Sequence, residues 1–561
     1  MTVTALLPLP RLAETTPGSL DLAPGGWVSG PPDLVESVRL ALAVLDPCPA
    51  PGGHPDGAGP VAIDVVADPG LGAEAYTLAV TPDGVRIAAG DASGAFYAGQ
   101  TLRQLLGPDA FRSTVPRGTR WSVPCVRVAD GPRFAWRGAH LDVARHFFPK
   151  REVLRMIDLL AAHKLNRLHL HLVDDQGWRV ESRAFPLLQE LAAYRPRTIV
   201  SHYGEEDVFD ETPHGGCYTL ADLAEIGAYA AARGVTVVPE IDVPGHASAV
   251  VAAYPAFGAR PSGAHQVLDR WGISSAILSP LPPTVEFLGT VFDEIITALG
   301  GATATPYFHI GGDECVLDDW AASAEITAFR RSLGVETPAG LHAWFLRTLA
   351  DMLASYGIRA VVWDEAFVSG GLREDTVVMP WRGPGVARRA AAAGHSVVAT
   401  PVFPLYFDYA EAASAQEPLA IGDAITVADV ASFEPAPSSW RPGEAANVIG
   451  AQFQLWSERI PDGRVLDYRA WPRGCALAEV AWSGGPRDVA DLIARLTAEP
   501  GGHLARLDAY GVEYRPLAGP RPWQRGGAGM RRHRPGVVDV AMVARHLERL
   551  THDADSTRPS V

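Results

Sequence analysis

The chain has 561 residues, 47% apolar and 20% charged, the balance of a folded protein too long for one ordinary core, so two or three domains are expected. A formal net charge of −16 argues against a nucleic-acid partner, whose binding domain would show a basic face. Five cysteines (Cys48, Cys125, Cys217, Cys315, Cys475) stand far apart without a C-x-x-C pair, which excludes a disulfide framework or a cysteine zinc site and fits reduced thiols.

Met1 to Pro10 lack a charged leader and break their apolar run with prolines, so no signal peptide is expected. No run approaches the ~20 apolar residues that cross a bilayer. A cytoplasmic location without a membrane partner is therefore the expectation. Up to about residue 130, strand-like runs fall at Val61–Val66, Ala75–Val80 and Val85–Ala88, the last two joined through Pro82-Asp83-Gly84 as a hairpin. Ser93–Leu106 carries Phe96, Leu102, Leu105 and Leu106 at helical spacing. This predicts a supporting α+β domain over residues 1–130, with Arg117 to Pro132 as the linker.

From Phe134 the pattern becomes strand, loop, helix, repeated. Eight strands are predicted: Trp136–Val143, Asn166–Val173, Val235–Ile241, Tyr307–Ile310, Ala360–Trp363, Thr376–Pro380, Ser396–Thr400 and Val448–Phe453. Between them, Glu152–Leu165 and Val285–Leu299 are amphipathic, and Thr219-Leu-Ala-Asp222 is a capping box opening a helix that Gly234 closes. Eight such units predict a (β/α)8 barrel over residues 131–490. A doubly wound open sheet is the alternative, and it lacks a G-x-G-x-x-G after any strand. Residues 491–561 read as an extension, with a Pro/Gly/Arg-rich loop from Pro516 to Gly536 that holds the basic run Arg531–Arg534. A helix over Val540–Leu550, with Asp539 as N-cap, would dock on the barrel or on a second subunit. The sequence leaves oligomeric state open.

Chemistry in such a barrel gathers at the carboxyl ends of the strands. The fourth strand ends in His309-Ile-Gly-Gly-Asp-Glu314, where two glycines turn the backbone and present two adjacent carboxylates. The other strand ends supply Arg145, Asp174, His246, Trp363, Trp381, Tyr406, Asp408, Trp456 and Glu458. Carboxylates and arginine grip hydroxyls, and indole faces lie against the C–H faces of a pyranose, so this composition is that of a sugar pocket.

Arg145-His-Phe-Phe148, Lys164-Leu-Asn-Arg-Leu-His-Leu-His-Leu-Val-Asp-Asp-Gln-Gly-Trp-Arg179, Pro244-Gly-His246, His309-Ile-Gly-Gly-Asp-Glu314, Trp363-Asp-Glu365 and Leu455-Trp-Ser-Glu458 resemble the family-20 β-N-acetylhexosaminidases. The resemblance covers the catalytic region, and the preceding α+β domain also fits the family. It implies exo-cleavage of terminal β-linked N-acetylglucosamine or N-acetylgalactosamine from an oligosaccharide or glycoconjugate, with the substrate's acetamido oxygen as nucleophile and no cofactor. On that reading Glu314 would be the general acid and later the base. Asp313 would orient the acetamido group and Tyr406 would donate to its oxygen. Trp363, Trp381 and Trp456 would wall the N-acetyl pocket, and Arg145, Asp408 and Glu458 would hold ring hydroxyls. Asp174 and His246 would support the acid, with a weaker case for Asp175. Cys315 reads as a small buried residue beneath the site.

Two rivals stand beside this reading. His169-Leu-His171 points two imidazoles to one face of the second strand, and with Asp174 nearby a metal-dependent hydrolase on the same barrel is conceivable. The bland version makes both histidines hydrogen-bonded barrel-interior residues. A carbohydrate-binding barrel without activity is the other rival, and the presence of both Asp313 and Glu314 weighs against it.

Overall fold

The protein is described by a computed structural model covering residues 5–525, except 47, 50–62, 202–205, 261, 263–264 and 485–487, with backbone alone at 48 and 49. Eight parallel strands close a barrel: Trp136–Asp142, Arg167–His171, Thr236–Glu240, Tyr307–His309, Arg359–Trp363, Val377–Met379, Ser396–Ala399 and Val448–Leu455. They pair in chain order, and the eighth closes on the first from Gly450↔Trp136 to Leu455↔Leu141. The barrel expectation therefore holds and the open sheet falls.

Local chemistry explains the units between the strands. Helix Lys150–Ala162 turns Val153, Met156, Ile157 and Leu160 inward. Helix Leu220–Ala231 starts at the reciprocal Thr219–Asp222 capping box, and the chain leaves it through Gly234 at φ 69°. Inside the barrel an apolar layer of Trp136, Val238, Val361, Val377, Met379 and Val398 fills the lower part. Above it lies a buried polar layer that includes His140, His169, His171, Glu240, His309 and Gln452.

The amino-terminal domain is a seven-stranded mixed sheet with helix Ala92–Leu106 packed on it. The expected hairpin is present as Tyr76–Thr81 and Gly84–Ala89, with Thr81 opposite Gly84. The expected linker is a correction. Trp121–Asp130 is a ten-residue interior strand, paired with Leu12–Leu22 on one side and Tyr76–Thr81 on the other.

Buried ion pairs lock this sheet to the barrel. Arg137 of the first barrel strand donates two hydrogen bonds of 2.9 Å to Glu74, and Lys164 sits 2.7 Å from Asp130. Helices Val489–Thr497 and His503–Ala509 follow the barrel and touch both parts. Arg495 pairs with Glu479 at 2.7 Å and donates to the Leu6 carbonyl, while Arg506 donates to the Ala5 carbonyl. The Arg531–Arg534 run and the Val540–Leu550 helix lie outside the described residues.

Candidate active site

The fourth strand ends against the third. Gly311 (φ 64°) and Gly312 (φ 99°) carry the chain through a turn, and a Cβ on Gly311 would lie 1.6 Å from Asp242 Oδ1. No side chain fits there, and the close approach lets the Gly312 N–H donate to that same oxygen at 3.2 Å. Immediately after, Glu314 takes φ 49°, and across the site His246 takes φ 50°. Left-handed backbone at non-glycine residues costs roughly 1–3 kcal/mol and persists only where the surroundings enforce it. Here it brings the Glu314 and His246 side chains together, with His246 Nε2 3.5 Å from Glu314 Oε2 and 3.8 Å from Asp313 Oδ2.

Ten of the eleven expected site residues line one cavity of about 200 Å³: Arg145, Asp174, His246, Asp313, Glu314, Trp381, Tyr406, Asp408, Trp456 and Glu458. Trp363 does not line it. As the last residue of an inward-facing strand it lies beneath the floor, 1% exposed, donating its N–H to Glu240 at 3.0 Å and meeting the Trp456 ring, tilted, at 5.9 Å. Asp242 is a wall residue that sequence reasoning missed, joined by Val402, Tyr409 and Ile421. Its place two residues beyond the end of the third strand was the available signal.

A chain of polar contacts runs along one wall. Arg145 reaches Asp174 at 2.8 Å, Asp142 at 3.2 Å and Gln176 at 3.1 Å. Asp174 in turn accepts from His246 Nδ1 at 3.2 Å. Burial would raise the Asp174 pKa, but Arg145, His246 and His171 hold the carboxyl well below the usual range. His246 is pushed well above the ordinary imidazole value, burial opposing and Asp174 prevailing. Asp175 accepts from the Ser248 N–H at 2.9 Å and lies 3.6 Å from His246.

The opposite tendency holds where carboxylates crowd. Burial, then Asp242, drives Asp313 well above its usual range against the pull of His246. Burial also lifts Asp242 to about 7. Asp408 is raised by burial and by Glu458, and burial keeps the Tyr406 hydroxyl protonated, a donor at neutral pH. Asp313 Oδ1, Asp408 Oδ1 and Glu458 Oε2 are buried without a hydrogen-bond partner among the described residues. Buried polar atoms are normally satisfied, so orphans around one cavity mark where a polar ligand completes the set.

The histidines behind the metal rival are committed to one another's neighbours. Glu240 lies at the centre, with His171 Nδ1 at 2.5 Å and His169 Nε2 at 3.0 Å. Gln452 donates to His169 Nδ1 at 3.0 Å, and His171 Nε2 faces Asp174 at 2.9 Å. Both His171 nitrogens and His169 Nδ1 are thus engaged inside the barrel, while His169 Nε2 meets Glu240 only as an ion-pair contact. Cys315 donates to the Asp313 carbonyl at 3.2 Å, and burial pushes its thiol pKa well up, so it is a packing residue under the acid pair.

Comparison with known proteins gives a consistent answer. Residues 134–485 match the family model "Glycosyl hydrolase family 20, catalytic domain", and residues 3–131 match "Glycosyl hydrolase family 20, domain 2". A β-N-acetylhexosaminidase of Cellulomonas fimi is 36% identical over 86% of this chain and 90% of its own. A β-hexosaminidase of Porphyromonas gingivalis is 35% identical over 81% of this chain, which spans only 56% of that relative. Among solved structures, the exo β-N-acetylglucosaminidase of Vibrio harveyi bound to N-acetylglucosamine superposes with a TM-score of 0.77. Its sequence is 30% identical, and the match covers 92% of this chain and 79% of that one. The β-N-acetylhexosaminidase of Streptomyces coelicolor A3(2) superposes with a TM-score of 0.75 at 29% identity, over 92% and 98%. With an aromatic, acid-lined cavity at the carboxyl ends of its barrel, this chain belongs to glycosyl hydrolase family 20.

Proposed function

We infer that the protein is an exo-acting, retaining β-N-acetylhexosaminidase that removes terminal β-linked N-acetylglucosamine or N-acetylgalactosamine. The observation that carries this is the adjacency of Asp313 and Glu314 at one strand end, facing one sugar-sized cavity with Tyr406 and two tryptophans. Two carboxyls on neighbouring residues cannot easily straddle a glycosidic bond, so the enzyme pair is suited to a nucleophile that the substrate itself brings.

The acetamido oxygen attacks the anomeric carbon as the glycosidic C–O bond breaks, and Glu314 gives its proton to the departing oxygen. Asp313 accepts from the acetamido N–H and, ionised by the positive charge that develops beside it, offsets the charge of the oxazolinium ring. Tyr406 donates to the acetamido oxygen, and Trp381 and Trp456 exclude water around it. Water then attacks the anomeric carbon from the face the leaving group vacated, Glu314 takes its proton, and the ring opens with retained configuration. Arg145, Asp408 and Glu458 supply donors and acceptors for the ring hydroxyls, and the unpartnered oxygens of Asp408 and Glu458 support that role. The scattered free thiols of Cys125, Cys217, Cys315 and Cys475 support a cytoplasmic setting.

The test is hydrolysis of an aryl β-N-acetylglucosaminide beside the matching aryl β-glucoside, each with and without chelator. Cleavage of the acetamido sugar alone, indifferent to chelator, is expected. Equal cleavage of the glucoside removes the substrate nucleophile, and loss of activity with chelator revives the metal reading.

A further inference from the structure

We propose that Glu240 and His171, buried beneath the sugar cavity, are positioning residues that charge and orient the Asp174–His246 pair behind the acid Glu314. The inference deepens the reading above and rests on Glu314 being the proton donor.

The geometry makes one continuous path. Glu240 Oε2 lies 2.5 Å from His171 Nδ1, and His171 Nε2 lies 2.9 Å from Asp174 Oδ2. Asp174 Oδ1 is 3.2 Å from His246 Nδ1, and His246 Nε2 is 3.5 Å from Glu314 Oε2. Every side chain on the path before Glu314 is buried. A carboxylate only accepts, so an imidazole with a carboxylate at each nitrogen must carry both protons. His171 is thus a buried imidazolium, and the displacement of its pKa well above the ordinary value agrees, with burial opposing and Glu240 and Asp174 prevailing.

Charge explains why Glu240 is there. Asp142 answers Arg145 at 3.2 Å, but without Glu240 the Arg145 and His171 cations would share Asp174 and Asp142 with His246 and oppose its protonation. Glu240 cancels one of them, and its own ionised form is secured by His309, His171 and His169. The other groups facing His171 are His140 and Asp142 of the first strand, His169 of the second, Asp242 of the third, and the Trp456 ring at 5.1 Å. Around Glu314 stand His246 and Asp313. A role in packing alone would not require opposite charges alternating in line toward the acid.

The experiment compares kcat/KM against pH for wild type, Glu240→Gln, His171→Gln and the double variant, on an activated and a poor aryl leaving group. Removing the anion should move the alkaline limb of the profile to lower pH by about half a unit or more, and removing the cation should move it higher. The double variant, with the net charge restored, should return toward wild type. Losses should be larger on the poor leaving group while KM stays near wild type. Uniform losses on both substrates with an unmoved limb would reduce the pair to packing. Neutron diffraction on the wild-type protein supplies a readout that needs no variant to fold. Two protons on His171 at pH 8 are expected, and a single one overturns the proposal. That reading is independent of turnover: a wild type inactive on both aryl sugars would sink the functional assignment and with it the positioning role, whereas a single proton on His171 in an active enzyme would sink this proposal alone.

Discussion

At Glu314 and Asp313 the chemistry divides between neighbours, and substitution should separate them. Glu314→Gln removes the transferable proton but keeps the shape, so kcat/KM should fall about 10²–10⁴-fold on poor leaving groups and far less on activated aryl ones. Equal losses on both would take Glu314 out of the acid role. Asp313→Asn should instead cost about 10²–10³-fold in kcat whatever the leaving group, in a protein with unchanged thermal stability, because the oxazolinium charge loses its counterpart. A folded variant with full activity would remove Asp313 from the mechanism. Asp242 makes a different prediction. Its carboxyl sits near 7 in the native protein and near 4 unfolded, so between those values the unfolded chain has released a proton that the native one keeps. Stability contributed by this group therefore declines as pH rises from about 4 to 7. Asp242→Asn cannot titrate, and its Tm relative to wild type should be higher at pH 7.5 than at pH 4.5. A constant difference would show that Asp242 titrates normally.

Strands of the barrel were legible because both of their faces are buried, so each appears as a short apolar run closed by punctuation and then by polar chemistry. All eight expected runs became strands, with ends shifted by at most two residues. The strands Leu12–Leu22 and Trp121–Asp130 were not legible, and proline is the reason. Pro17 and Gly18 occupy an irregularity where the register jumps from Thr15↔Val126 to Ser19↔Pro124. A break in the ladder is where a sheet tolerates proline, yet in a bare sequence the same residues read as loop. Trp363 failed for a related reason. Position at a strand end was visible, but whether the side chain faces the cavity or the barrel interior is set by where that strand stops, and one residue decides it. The closing seam allows a direct test. A Cβ on Gly450 would lie 1.7 Å from the Trp136 carbonyl, between the eighth strand and the first. Gly450→Ala should therefore destabilise the barrel by about 3 kcal/mol or more, read as a fall in the urea midpoint. A wild-type midpoint would mean that the two strands can part there without cost.

Across the whole molecule, the segment following the barrel ties the three parts into one unit, and histidine chemistry makes that tie sensitive to acid. Tyr510 meets Phe111 of the amino-terminal domain edge-on at 6.0 Å, and Arg506 and Arg495 hold the carbonyls of Ala5 and Leu6. At the junction with the barrel, His163 donates from Nδ1 to the Leu159 carbonyl at 2.6 Å, so its Nε2 is the acceptor for His503 Nε2 at 2.8 Å. That bond needs His163 neutral, and His503 is neutral as well because its Nδ1 accepts from Arg506 at 3.4 Å. Burial supplies the condition, holding His163 at about 4 and His503 well below its ordinary value, where the nearby Arg506 and Arg495 also oppose its charge. An unfolded histidine takes up its proton near 6.5. Between about pH 6.5 and 4 the unfolded chain thus binds protons that the native one refuses, and stability is lost as pH falls through that window. His503→Gln keeps a donor for His163 but removes one titration, so its Tm should drop less than that of wild type between pH 6.5 and 4.5. Parallel drops would place the acid sensitivity elsewhere. A smaller drop together with earlier proteolytic release of residues beyond 488 in wild type would identify this junction as the first to yield, since its contacts are the ones that acid turns from attraction to repulsion.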